Sequence, residues 1–151
     1  MRSIVQGKSY GSVKVFWVDE EALARFLEDL VARYQRFPEV EAAVLFGSLA
    51  KGAFSVGSDV DLLLILRESP LTFPDRIPPY LPDRAPVDVE VFPYTVEEIR
   101  RGQPLAHEAL SCGKVLWQRP GFSVDALRSS SPHASEPGGA GQSSSQPAMA
   151  E

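Results

Sequence analysis

Asp59 and Asp61, separated by one valine at the head of the apolar run Val60 to Leu66, are the residues best placed to do chemistry. Strand side chains alternate in direction, so the two carboxylates point one way while Val60 and Leu62 point the other. Left bare, the pair would repel, and at least one pKa would rise. A divalent cation removes the conflict, and an all-oxygen donor set is what magnesium selects. Asp88 lies between Val87 and Val89 on a later apolar strand. If that strand lies beside the first, a third carboxylate joins the pair. Glu90 shares the face of Asp88 and is the alternative third ligand, with Asp88 favoured. Three convergent carboxylates can hold two magnesium ions about 3.5–4 Å apart, the arrangement that clamps both oxygens of an in-line displacement.

Gly47-Ser48 ends the apolar stretch Glu41 to Phe46 and has the complementary task. A strand that ends in glycine and leads into a helix start presents free backbone N–H groups to an anion. Glycine also lets a phosphate approach the main chain closely. The Ser48 hydroxyl adds a donor, Lys51 reaches a terminal phosphate one turn along, and Ser58 can bond the first carboxylate or a phosphate. The spacing is not that of a Walker-type loop.

These groups need a frame. Ser12 to Val18 reads as a strand, a candidate for a sheet edge. Asp19 caps a helix whose apolar face is Leu23, Phe26, Leu27, Leu30, Val31 and Tyr34, and Pro38 stops it. Glu41–Phe46 and Val60–Leu66 are buried strands, with a short helical stretch, Leu49 to Ala53, following the first. The six prolines between Pro70 and Pro86 predict an irregular connection with at most one short helical turn. Pro86 to Phe92 alternates as a third strand. Thr95 and Glu98 form a capping box for a helix through Arg101, a second helix runs from Pro104 to Cys112-Gly113, and Lys114 to Trp117 is a last strand. His107 on that helix is expected to be a surface or partly buried histidine rather than a base, and Cys112 half-buried. The fold class is α/β (α+β), with a small, mixed, mostly antiparallel sheet and helices mainly on one face. Residues 1–12 read as an extension, 13–120 as the domain, and 121–151, rich in Ser, Gly and Pro, as a disordered tail.

Composition narrows the function. A net charge of -5 and a pI near 5.1, with no basic stripe, argue against nucleic acid as the main partner. One cysteine in 151 residues excludes an intramolecular disulfide and fits a reducing, cytoplasmic setting. No apolar run is long enough to span a membrane, and no secretory leader is seen.

Phe46-Gly47-Ser48, a gap of ten, Asp59-Val60-Asp61-Leu62 and then Val87-Asp88-Val89 resemble the signature of the polymerase-β nucleotidyltransferase superfamily. The small size and the segment Gly47-Ser48-Leu49-Ala50-Lys51-Gly52 resemble its minimal nucleotidyltransferases. Lys51 stands where many members carry arginine, which keeps the charge and loses the bidentate fork. The resemblance covers roughly Val15 to Trp117. It implies Asp59 and Asp61 as metal ligands, Asp88 as the third carboxylate that also helps deprotonate the acceptor, and Gly47 and Ser48 as triphosphate holders. It further implies transfer of a nucleotidyl group, AMP from Mg-ATP, to a hydroxyl acceptor on a partner protein, the partner being a helical HEPN protein in a toxin–antitoxin pair. Two other readings stand beside this one: a binding module that neutralises the HEPN partner by contact, and an enzyme modifying a small molecule such as an aminoglycoside.

Overall fold

A computed structural model describes residues 5–10, 13–47, 50 and 59–129 of the chain. Its centre is a four-stranded sheet built from β3 (Val40–Phe46), β4 (Val60–Leu66), β5 (Val89–Thr95) and β6 (Lys114–Gln118), in the order β5-β4-β3-β6. β3 pairs antiparallel with both β4 and β6, and β4 pairs parallel with β5. The sheet is thus mixed and mostly antiparallel, as the strand pattern implies. The first two strands, β1 (Val5–Tyr10) and β2 (Val13–Val18), form a separate antiparallel pair. The expected extension over residues 1–12 therefore contains a strand.

Helix α1 (Glu20–Gln35) begins where predicted: the Asp19 side chain accepts a hydrogen bond from the Ala22 N–H. Its buried face of Ala22, Leu23, Phe26, Leu30 and Tyr34 covers one side of the sheet against Val40, Ala43, Leu45, Val60, Leu62, Leu64 and Leu66. The other side is also covered. There Ala42, Val44, Leu63 and Ile65 pack against α3 (Val96–Arg100), α4 (Pro104–Cys112) and α5 (Val124–Ser129). Helices thus cover both faces of the sheet rather than mainly one. β4 is buried at nearly every position, and a strand dry on both faces needs cover on both.

Three local differences have physical causes. The proline-rich connection holds a helix of eight residues, α2 (Phe73–Tyr80), in place of at most one turn. Pro74 sits in the first turn, where a missing N–H costs nothing. Pro78 and Pro79 fall in the last turn. Contacts with α1 tie that end down: the Tyr34 hydroxyl donates to the Tyr80 carbonyl at 2.9 Å, and Arg33 donates to the Leu81 carbonyl at 3.0 Å. α5 lies beyond the domain boundary expected at residue 120 and buries Val124 and Leu127. Two anchors in six residues are too few for periodicity to register. His107, expected at the surface or partly buried, is buried on α4 with 8 % exposure, and Cys112 is exposed.

The strongest polar tie is Arg76, 5 % exposed on α2. Its guanidinium donates to the Leu71 and Pro93 carbonyls and to both carboxylate oxygens of Glu98, at 2.8 and 3.0 Å. Glu98 in turn accepts from the Thr95 N–H, closing the capping box of α3. One side chain thus joins α2, the edge strand β5 and α3. The Arg76 hydrogen bonds hold the Glu98 carboxyl below its usual pKa, outweighing the opposing effect of burial. A depressed carboxylate stabilises the fold above its unfolded-state pKa, and that stability is lost as pH falls through the folded-state value. Arg76→Leu leaves two carbonyls without this donor and Glu98 without its cation, and is expected to cost about 1–3 kcal/mol, because Glu98 is partly exposed and keeps the Thr95 N–H. Thermal midpoints recorded from pH 7 to pH 3 should show the variant's loss shrinking as Glu98 protonates.

Candidate functional site

The site forms where β3 leaves the sheet and β4 and β5 enter it. In the paired register, Phe46 lies opposite Asp61, and Asp61 lies opposite Glu90. Parity places these side chains on the sheet face of Val44, Leu63 and Ile65. Asp59 precedes β4 by one residue and shares that parity. Among the described residues, Asp59, Asp61 and Glu90 offer carboxylate oxygens that all lie within 4.8 Å of one another. Asp59 and Asp61 are partly buried, and Glu90 is exposed.

Asp88 is not in that group. It stands before the first paired residue of β5, where its main-chain carbonyl accepts from the Val60 N–H at 2.9 Å. Glu90 sits one strand step inward, about 6.6 Å along the chain, directly across from Asp61, and has an extra methylene with which to reach it. The alternation that singled out Asp88 applies equally to Glu90. Which of the two meets the aspartates depends on register, which a single strand's pattern does not contain.

Gly47 has φ +82°, a backbone conformation that side chains disfavour. A Cβ built there would lie 2.5 Å from Asp61 Oδ2, so the carboxylate rests against the glycine backbone. The close approach that the glycine permits here is that of a carboxylate. Ser48, Lys51, Ser58 and most of the short helix expected over Leu49 to Ala53 lie outside the described residues.

The electrostatics match the crowding. Asp61 has a raised pKa, first through desolvation, then through the charges of Glu90 and Asp59. An acidic pocket this tight, made only of oxygen donors, suits a hard divalent cation such as magnesium, which would cancel the repulsion the three groups impose on one another. Chemically, such a centre can organise phosphate oxygens around a displacement at phosphorus.

Comparison with known proteins bears on this reading. Residues 28–120 match the family model described as polymerase beta, nucleotidyltransferase. The matched range runs from α1 to the end of β6 and includes all three clustered carboxylates. The chain is also similar to a crystal structure of a protein provisionally described as a nucleotidyltransferase from Sulfolobus solfataricus. That likeness has 24% identity and a TM-score of 0.47, covering 67% of this chain and 87% of that one. No curated protein matches. With well over half its length inside the family model, the chain belongs to the polymerase beta nucleotidyltransferase family.

Proposed function

We propose that the chain transfers a nucleotidyl group, AMP from magnesium-ATP, to a hydroxyl on a partner protein. The observation that carries this is the gathering of Asp59, Asp61 and Glu90 within 4.8 Å inside the family match. These three carboxylates would hold two magnesium ions, and Glu90 takes the place first given to Asp88. The bound ions would supply positive charge to the phosphate oxygens and to the departing pyrophosphate. The acceptor oxygen bonds to the α-phosphorus as the bond to pyrophosphate breaks. Asp88 is proposed to receive the acceptor's proton. Gly47 keeps Asp61 in position, and Ser48, Lys51 and Ser58 are proposed to hold the triphosphate.

The acceptor pocket is proposed to come from another molecule. Among the described residues, every helix after β5 packs back onto the sheet, so none is left over to shape one. The HEPN-type protein that the sequence resemblance suggests is our candidate. No helix among the described residues is long and apolar enough to cross a membrane, and a cytoplasmic setting fits the reading.

The direct experiment incubates the full chain with magnesium and ATP labelled at the α-phosphate in a cell lysate. Label should pass to a protein, and Asp59→Asn with Asp61→Asn should abolish the transfer while any partner complex survives. Surviving transfer in that double variant would remove the proposal. Unchanged partner neutralisation without any transfer would favour the contact-only binding module.

Two substitutions then divide the roles. Glu90→Gln removes a ligand charge and should weaken magnesium uptake and transfer together, whereas Asp88→Asn should slow transfer by about 100-fold or more while magnesium uptake stays at the wild-type level. The reverse split, measured by calorimetry beside label transfer, would restore Asp88 as the third ligand. Gly47→Ala combines a strained backbone, about 1–3 kcal/mol, with displacement of the Asp61 carboxylate. Its magnesium uptake, followed by calorimetry, should fall well below wild type although the circular dichroism spectrum stays folded.

A further inference from the structure

On the site's face of the sheet, the side chains stand in rows. The row nearest the site holds Phe46, Asp61 and Glu90, and the next holds Val44, Leu63 and Phe92. Val44 and Leu63 are fully buried, while Phe92 remains partly exposed and packs against neither core. Its ring neighbour is Phe46, also partly exposed, with centroids 5.5 Å apart and planes tilted by 57°. Elsewhere on this face, aromatic side chains serve the fold: Tyr94 stacks on Phe73 and packs against the second core. Phe46 packs against the second core as well, so it is Phe92, half-covered beside the carboxylate cluster, that neither core uses.

We propose that Phe46 and Phe92 form a platform for the base of the nucleoside triphosphate, an inference that rests on the nucleotidyl-transfer reading above. In such a substrate the α-phosphate stands between the pyrophosphate and the nucleoside. With the α-phosphate at the carboxylates, a nucleoside lying along the exposed edge of this face extends over β5 toward Phe92. Phe92 is one strand step, about 6.6 Å, past Glu90 in that direction. That is the scale of one ribose. Phenyl rings offer a π-face but no hydrogen-bonding group, so the platform accepts any base and ranks them by stacking area. Purine nucleotides therefore bind more tightly than pyrimidine nucleotides, without selection between ATP and GTP at this contact.

Calorimetric titration of the full chain with the magnesium complexes of ATP, CTP and inorganic tripolyphosphate tests this. Phe92→Ala should weaken ATP by roughly tenfold, equivalent to about 1.4 kcal/mol, within the range of base–aromatic stacking. Tripolyphosphate affinity should not change, the ATP-over-CTP preference should vanish, and Phe92→Trp should restore both. Parallel loss of ATP and tripolyphosphate, or an unaltered ATP affinity, would overturn the platform while leaving the transferase reading intact. If wild type binds tripolyphosphate and ATP equally, the platform falls as well. If wild type binds none of the three, the underlying reading fails and takes the platform with it.

Discussion

Everything at the site depends on the register of β4 against β5. In the parallel pairing, Asp61 faces Glu90; a one-residue slip of β5 would turn Glu90 to the opposite face. The carboxylates themselves oppose the observed register, because like charges set across a strand pair destabilise it by roughly 0.2–1 kcal/mol. The apolar residues of β4 decide the contest. Val60, Leu62, Leu63, Leu64, Ile65 and Leu66 are fully buried, and each large one contributes about 1.5–3 kcal/mol. Hydrophobic burial therefore fixes the strands where electrostatics alone would part them, and the crowded acidic pocket is a consequence of packing.

The edge position of β5 makes a second anchor necessary. Its ladder runs to β4 on one side only, and Pro93 within it removes a donor, which an edge strand tolerates. Arg76 compensates by bonding the Pro93 carbonyl and the Glu98 carboxylate from α2. That guanidinium is buried, with five donors in a fixed fork, so it constrains geometry in a way an apolar side chain of similar bulk would not. The helix that carries it is held in turn by Arg33 and Tyr34 of α1. The chain of restraint thus runs from the long amphipathic helix, through a proline-rich one, to the strand bearing Glu90.

The parts of this fold written in local pattern were readable from the residues. α1, β3, β4, the Thr95–Glu98 capping box and the Pro104 helix start all follow from periodicity or capping chemistry within a few residues. What stayed hidden depends on partners distant in sequence. α2 exists because α1 and Arg76 secure it. α5 exists because two apolar anchors meet a core formed by other elements. The choice between Asp88 and Glu90 lies in the β4–β5 register, and their strand shows both on one face. At Gly47 the residue type alone implies close approach to the main chain; the positive φ and the contact with Asp61 need the antiparallel pairing of β3 and β4.

The acidic pocket also constrains how a nucleotide can enter. A triphosphate is an anion, the three carboxylates carry the same sign, and the chain as a whole is at -5. Without a cation, the proposed site repels its own substrate. Asp61 already holds its proton more tightly than a free aspartate, because burial and its two neighbours disfavour the charged form. A proton and a divalent ion would therefore compete for the same oxygen, and a bound ion would displace the proton. Such an ion would reverse the local field, so nucleotide and metal would strengthen each other's binding by equal factors. The fold contributes the fixed crowding of oxygens, and the coupling follows from that crowding.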